Sequence, residues 1–284
     1  MNNLSIQSLP QPNEVVEEYT GLKWIPVLVY HKVDTRFEFG ITHVFPRQFA
    51  RQMAWLHENG YQTISFREYL ENPFWDQNQK YVIITFDDAY QSVYKNAFPI
   101  MRQYNFTATV FVVSDFVGRR NLWDVNLGGL KFSHLNWFEM YQLVKSGWEI
   151  GSHTATHQDL IACSDDELEY EVVRSKLVLE RCIGGGVSVI AYPFGRYNQR
   201  IKDWVCEAGY TSACTTDFGT HEPPENAFGI NRQAVHLWDT IFDFKAKIEM
   251  NRYTEFQRIR QNGINFCAQG TVVVKNFKKK YLQF

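Results

Sequence analysis

The 284-residue chain has no long hydrophobic run. Nowhere do the roughly 20 consecutive apolar residues of a membrane-spanning helix occur, so no transmembrane segment is expected. It also lacks a basic stripe. With 29 Lys and Arg against 31 Asp and Glu, a formal net charge of -2 and both signs spread along most of the sequence, it has no positive footprint for a phosphate backbone, and nucleic acid is not an expected partner. Cysteine is scarce: there are five, an odd number, and only Cys206 and Cys214 lie close together, which points to reduced thiols and not to a disulfide framework. The first 21 residues contain Asn, Gln, Pro and Glu but no cationic segment leading into an apolar one, as a secretory leader would. The expectation from these absences is a cytoplasmic protein. Internal repeats and low-complexity segments are absent as well.

What is present is an alternation of strand and helix signals, with aromatics at 16% and eight Trp scattered through the chain. Most of these rings are expected in a core, and some are free to stack on a ligand. Residues 1–21 lack periodicity and read as a loose leader. From Ile25 an apolar run, Val27 to Tyr30, precedes a helix in which Phe49, Met53 and Leu56 share one face, closed by Gly60. Tyr81 to Thr85 is a buried-strand run, followed by a helix through Tyr94 expected to stop around Pro99. Ala108 to Val113 is another strand, Trp137 to Lys145 a helix ended by Gly147, and Trp148 to Gly151 leads to a His pair. Ser164 and Glu167 form a capping box for a helix carrying Leu168, Val172 and Leu179 and ending at Gly184 to Gly186. Val187 to Ala191 is a strand, and Ile201, Val205 and Ala208 line a helix ended by Gly209. Strands alternating with helices predict an α/β fold with a parallel sheet, closed into a single-domain (β/α) barrel over residues 22–250. Residues 251–284 read as a C-terminal extension, with Thr271 to Val274 as an edge strand and Lys278 to Lys280 as a solvated tail.

Polar residues at the C-terminal ends of barrel strands point into one mouth. Here those positions are His31 after Val27 to Tyr30, Asp87 and Asp88 after Ile83 to Phe86, His153 after Glu149 to Gly151, and Tyr192-Pro193-Phe194 after Val189 and Ile190. His153 and His157, spaced i and i+4, would share one face if the segment is a helical turn. Adjacent carboxylates at a strand end repel one another unless a cation or proton compensates. A metal is one such cation, and two imidazoles with a carboxylate leave coordination positions open for water and substrate. The alternative is that Asp87 or Asp88 caps a helix beginning at Ala89.

Thr85-Phe86-Asp87-Asp88, His153-Thr154-Ala155-Thr156-His157 and the downstream Pro-aromatic-Gly element resemble the polysaccharide deacetylase family, the NodB-homology carbohydrate esterases, over roughly Ile25 to Met250. The resemblance implies a distorted (β/α) barrel with Asp88, His153 and His157 as metal ligands and Asp87 as catalytic base. The backbone N–H of Phe194 would hold the oxyanion. Val29-Tyr30-His31-Lys32-Val33 is similar to the first element of the poly-N-acetylglucosamine deacetylase branch, which implies His31 as general acid, with His236 in Ala234-Val235-His236 as the other candidate. Two departures stand out. Ala89 replaces the family's Gly after the two Asp, a change expected to add only a methyl group. Ala191 stands where the family has the Arg that orients the base, and Arg232 is the candidate replacement.

The activity that the resemblance implies is metal-dependent removal of N-acetyl groups from an amino-sugar glycan or glycoconjugate, and for such ligands zinc is the first choice of ion, with cobalt or nickel also compatible. Two other readings stay open. One is a deacetylase of a small cytoplasmic acetamide or a lipid-linked sugar precursor. The other is an inactive barrel that binds glycans.

Overall fold

A computed structural model describes residues 23–36, 42–72, 75–76, 78–121, 131–216, 224 and 226–249. The expected leader and the whole C-terminal extension, with the edge strand at Thr271 to Val274, the Lys278 to Lys280 tail and Cys267, lie outside them. The remaining four cysteines, Cys163, Cys182, Cys206 and Cys214, are free thiols. No helix among the described residues is long and apolar enough to cross a membrane.

The chain forms a parallel, eight-stranded sheet that curls into a (β/α) barrel. Its strands are β1 (Val27–Tyr30), β4 (Tyr61–Thr63), β5 (Lys80–Phe86), β6 (Thr109–Val112), β7 (Glu149–Ser152), β8 (Val189–Ala191), β9 (Ser212–Cys214) and β10 (Gln233–Ala234). They run in the order β10-β1-β5-β6-β7-β8-β9, with β4 paired to β5. Cys214 at the end of β9 bridges in parallel to Ile230, just ahead of β10, so the two ends of the sheet meet. A two-stranded pair, β2 (Lys32–Val33) and β3 (His43–Val44), stands apart.

Helices α1 (Pro46–Glu58), α2 (Phe66–Glu71), α3 (Phe98–Arg102), α4 (Trp137–Lys145), α5 (Asp165–Leu168), α6 (Ser175–Ile183), α7 (Gln199–Glu207) and α8 (Ile241–Glu249) connect the strands or follow the last. Reciprocal capping boxes fix three helix starts, at Ser65 with Glu68, Asn136 with Glu139 and Ser164 with Glu167. Gly184, at φ 69, ends α6 in the left-handed conformation that a glycine tolerates. Pro99 does not stop its helix. Residues 91–102 run as one helix, and the π turn Val93–Ala97 widens it just ahead of Pro99, where the proline N–H is missing.

The apolar runs that predict strands are buried on both faces, as a parallel sheet under helices requires: Val82, Ile83, Ile84 and Phe86 of β5 are inaccessible. Burying each such side chain contributes about 1.5–3 kcal/mol, so register is strongly specified. Register in turn places the chemistry. Tyr30 pairs with Phe86, and the Asp87 N–H donates to the Tyr30 carbonyl at 2.8 Å, which levels His31 with Asp87 at one rim. Val112 pairs with Ser152 and Ser152 with Ile190, bringing His153 and Ala191 to the same rim.

Candidate active site

Beyond β5 the chain turns through two consecutive left-handed residues, Asp88 at φ 64 and Ala89 at φ 49. Neither Asp caps a helix at Ala89, because none begins there. The segment from Phe132 to Leu135 holds the turn instead. His134 Nδ1–H donates to the Asp88 carbonyl at 2.6 Å, the Leu135 N–H donates to the Ala89 carbonyl at 2.7 Å, and the His134 ring stacks on Tyr90. The expectation that Ala89 adds only a methyl group is corrected by this geometry. A left-handed residue with a Cβ costs roughly 1–2 kcal/mol, which glycine avoids.

His153 and His157 do not lie on a helical turn. They flank a loop after β7 in which Thr154 (φ 67) and His157 (φ 60) are left-handed, so the i, i+4 spacing is realised by a tight non-helical bend. Thr154 Oγ1 accepts from the His157 N–H at 3.0 Å and closes that bend. His153 Nδ1–H donates to the Ala191 carbonyl at 2.8 Å, which fixes the tautomer and leaves Nε2 with its lone pair directed at Asp88.

Asp88 Oδ1 lies 3.7 Å from both His153 Nε2 and His157 Nε2, too far for hydrogen bonds. All three residues are buried, and their donor atoms lie within 4.8 Å of one another. Two nitrogens and an oxygen each about 2.0–2.2 Å from one ion at tetrahedral angles stand roughly 3.4 Å apart. The observed spacing thus fits a single divalent cation, and three protein ligands leave it open to water and substrate.

Asp87 lies beside this group, its Oδ2 3.9 Å from His153 Nε2. Arg232, wholly buried at the entrance to β10, grips it with two parallel hydrogen bonds, Nη1 to Oδ1 at 2.7 Å and Nη2 to Oδ2 at 2.8 Å. The same guanidinium donates to Thr85 Oγ1 at 3.2 Å and to the Thr215 carbonyl at 3.1 Å, and lies over the Phe111 ring at 5.0 Å. Burial pushes the Asp87 carboxyl up. The Arg232 charge, the neighbouring His153 and the paired hydrogen bonds outweigh burial and hold it at about 2. The guanidinium beside Asp87 therefore comes from the entrance to β10, and not from position 191.

His31 keeps part of its surface exposed at the rim, yet the protein around it strips most of its hydration. This desolvation lowers its pKa to about 3, against the raising influence of Asp87, so the ring is neutral at rest. His236 is buried, its ring against Trp238 at 5.7 Å and its backbone N–H donating to Asp239 Oδ2 at 2.8 Å. Phe194, at φ 60 in the turn Pro193–Gly195 after β8, sets its ring edge against His157 at 4.8 Å.

Two contributors carry no motif. His134 secures the Asp88 carbonyl from a separate segment. Glu171, buried on the outer helix layer, accepts from the Thr156 N–H at 2.8 Å and from its hydroxyl. No sequence signal marks either one, because His134 meets Asp88 across 46 residues and Glu171 meets Thr156 across 15.

Residues 75–213 match the family model described as polysaccharide deacetylase. The YxkH protein of Bacillus subtilis (strain 168), named as a polysaccharide deacetylase, is 28% identical over 227 residues, covering 79% of this chain and 76% of the relative. The poly-beta-1,6-N-acetyl-D-glucosamine N-deacetylase of Staphylococcus aureus is 25% identical over 213 residues, 70% of this chain and 69% of that one. Among solved structures, a polysaccharide deacetylase from Bacillus cereus superposes with a TM-score of 0.66 at 29% identity, over 80% of this chain and 69% of its own.

Proposed function

We propose, from its similarity to the polysaccharide deacetylase family, that this chain is a metal-dependent hydrolase that removes acetyl groups from N-acetylated amino sugars of a glycan, releasing acetate. The observation that carries the proposal is the convergence of Asp88, His153 and His157 within 4.8 Å, beside an Asp87 clamped by Arg232. The S. aureus relative's named substrate supports a β-linked N-acetylglucosamine polymer as the substrate class. Zinc is the proposed ion, since two imidazoles and a carboxylate with open positions suit it well.

Asp88, His153 and His157 would hold a divalent cation, which when bound would supply Lewis acidity for the acetamide carbonyl and the attacking water, so that a weakly basic carboxylate would suffice as base. Asp87 is that carboxylate. Arg232 keeps it ionised and fixes both its oxygens, so it is oriented before substrate arrives. The Phe194 N–H is the proposed donor to the oxyanion of the tetrahedral intermediate. His31 delivers the proton to the departing amine. Desolvation keeps its ring neutral at rest, so it must first acquire a proton, and the neighbouring Asp87 is the proposed source.

The test is acetate release from N-acetylglucosamine oligomers by protein stripped with a chelator and reloaded with zinc. Activity should vanish and return. Asp87→Asn should lose about 10²–10⁴ in turnover while still binding zinc, as removal of a general base does. Full activity in Asp87→Asn would exclude Asp87 as the base.

A further inference from the structure

We infer that Glu171 is a positioning residue for the metal site, setting the shape of the His153–His157 loop and through it the affinity for the ion. The inference rests on the assignment of Asp88, His153 and His157 as ligands. The helix formed by α5 and α6 is interrupted by a π turn, Glu169–Arg174. Such a wide turn redirects backbone carbonyls out of the regular ladder, and isolated π turns recur at functional sites. Here the Glu171 carbonyl accepts from the Ala155 N–H at 3.1 Å. Its carboxylate accepts from the Thr156 N–H at 2.8 Å and from the Thr156 hydroxyl. Three donors from two consecutive residues, both between the histidines, thus end on one side chain and its own carbonyl.

The loop needs such a clamp. Thr154 and His157 are both left-handed, each at a cost that persists only where the surroundings over-determine the conformation. A second support comes from the chain after β6, where the Ser114 and Asp115 N–H groups donate to the Thr154 and Ala155 carbonyls at 3.1 and 3.0 Å. The π turn braces that side too: the Tyr170 hydroxyl and Arg174 Nη1 donate to the Asp115 carboxylate at 2.7 and 2.8 Å. The π turn that carries Glu171 therefore reaches both supports of the loop, with Glu171 itself on the Ala155–Thr156 side.

Cobalt(II) titration of the metal-free protein, followed by its visible absorption and by competition with a chromophoric chelator, tests the inference alongside thermal unfolding of the same metal-free samples. Glu171→Ala should weaken cobalt binding about 10–100-fold, the usual effect of losing an outer partner of a metal ligand, and should alter the cobalt spectrum. Glu171→Gln should restore both nearly to wild type, because the amide oxygen accepts from the Thr156 N–H while its NH₂ donates to the hydroxyl. Thr156→Val removes a single hydrogen bond and should weaken binding by less, which decides the matter if Glu171→Ala does not fold. Wild-type affinity and spectrum in Glu171→Ala, or in Thr156→Val where the alanine variant is unfolded, overturns the inference even if melting is lowered. Failure of the wild-type protein to bind cobalt would instead overturn the ligand assignment itself.

Discussion

Replacing Arg232 by Met removes the charge but keeps much of the volume, and the structure fixes what is lost. Asp87 forfeits both hydrogen bonds from the guanidinium, and Thr85 and Thr215 forfeit one each. Because both partners are buried, the remaining carboxylate stays in the interior, a situation that costs about 3–5 kcal/mol. Its pH signature is specific. In the wild type the Asp87 pKa is about 2, below its ordinary 3.8, so its contribution is present above 3.8 and lost as pH falls toward 2. That difference corresponds to roughly 2–3 kcal/mol. In Arg232→Met, burial acts without its principal opponent and the carboxyl moves upward, so the charged form now destabilises the fold as pH rises. Denaturant unfolding of metal-free protein across pH 2 to 7 should therefore show a wild-type-minus-variant gap that widens with pH, and the acid limb of kcat/KM should move to higher pH. Arg232→Lys, keeping the charge without the fork, should fall between the two. A loss under about 1 kcal/mol, as for an exposed pair, with a gap independent of pH, would refute the buried-pair account.

Two glycines give sharper steric tests. A Cβ on Gly195, at φ 69, would lie 2.5 Å from Thr216 Oγ1 and 2.9 Å from the Thr216 backbone nitrogen, so Gly195→Ala should lose at least about 1–2 kcal/mol from backbone strain alone. Its effect on kcat should exceed that on KM because Phe194 is displaced; wild-type turnover would remove Phe194 from the mechanism. In β7, a Cβ on Gly151 would lie 2.5 and 2.6 Å from the Phe111 ring, which supports Arg232. Gly151→Ala should cost about 1–3 kcal/mol by overpacking, with Phe111→Leu in the same chain recovering part of it in a melting experiment. No recovery would mean that the strain lies elsewhere.

How much of this was legible beforehand depends on the range over which each interaction acts. Strand β5 and its terminal carboxylates are a local pattern, a continuous apolar run stopped by charge, and burial of that run is what the structure shows. The Ser164 start of α5 is equally local, because the capping box completes itself within four residues. The His153–His157 bend shows where local pattern misleads. Spacing of four suggests a helical face, but two left-handed residues give the same proximity, and their cost is met by Glu171, Ser114 and Asp115, which no periodicity connects to them. Arg232 is an intermediate case. It meets Asp87 across 145 residues, beyond the reach of any spacing rule. Yet a missing guanidinium at Ala191 left an unbalanced carboxylate, and a buried charge requires compensation from somewhere. Charge balance can be audited from the sequence in a way that hydrogen bonding cannot. A buried carboxylate such as Glu171 that is satisfied by a backbone N–H and a hydroxyl leaves no deficit to notice, so the residues that shape the bend become visible only when the π turn is seen.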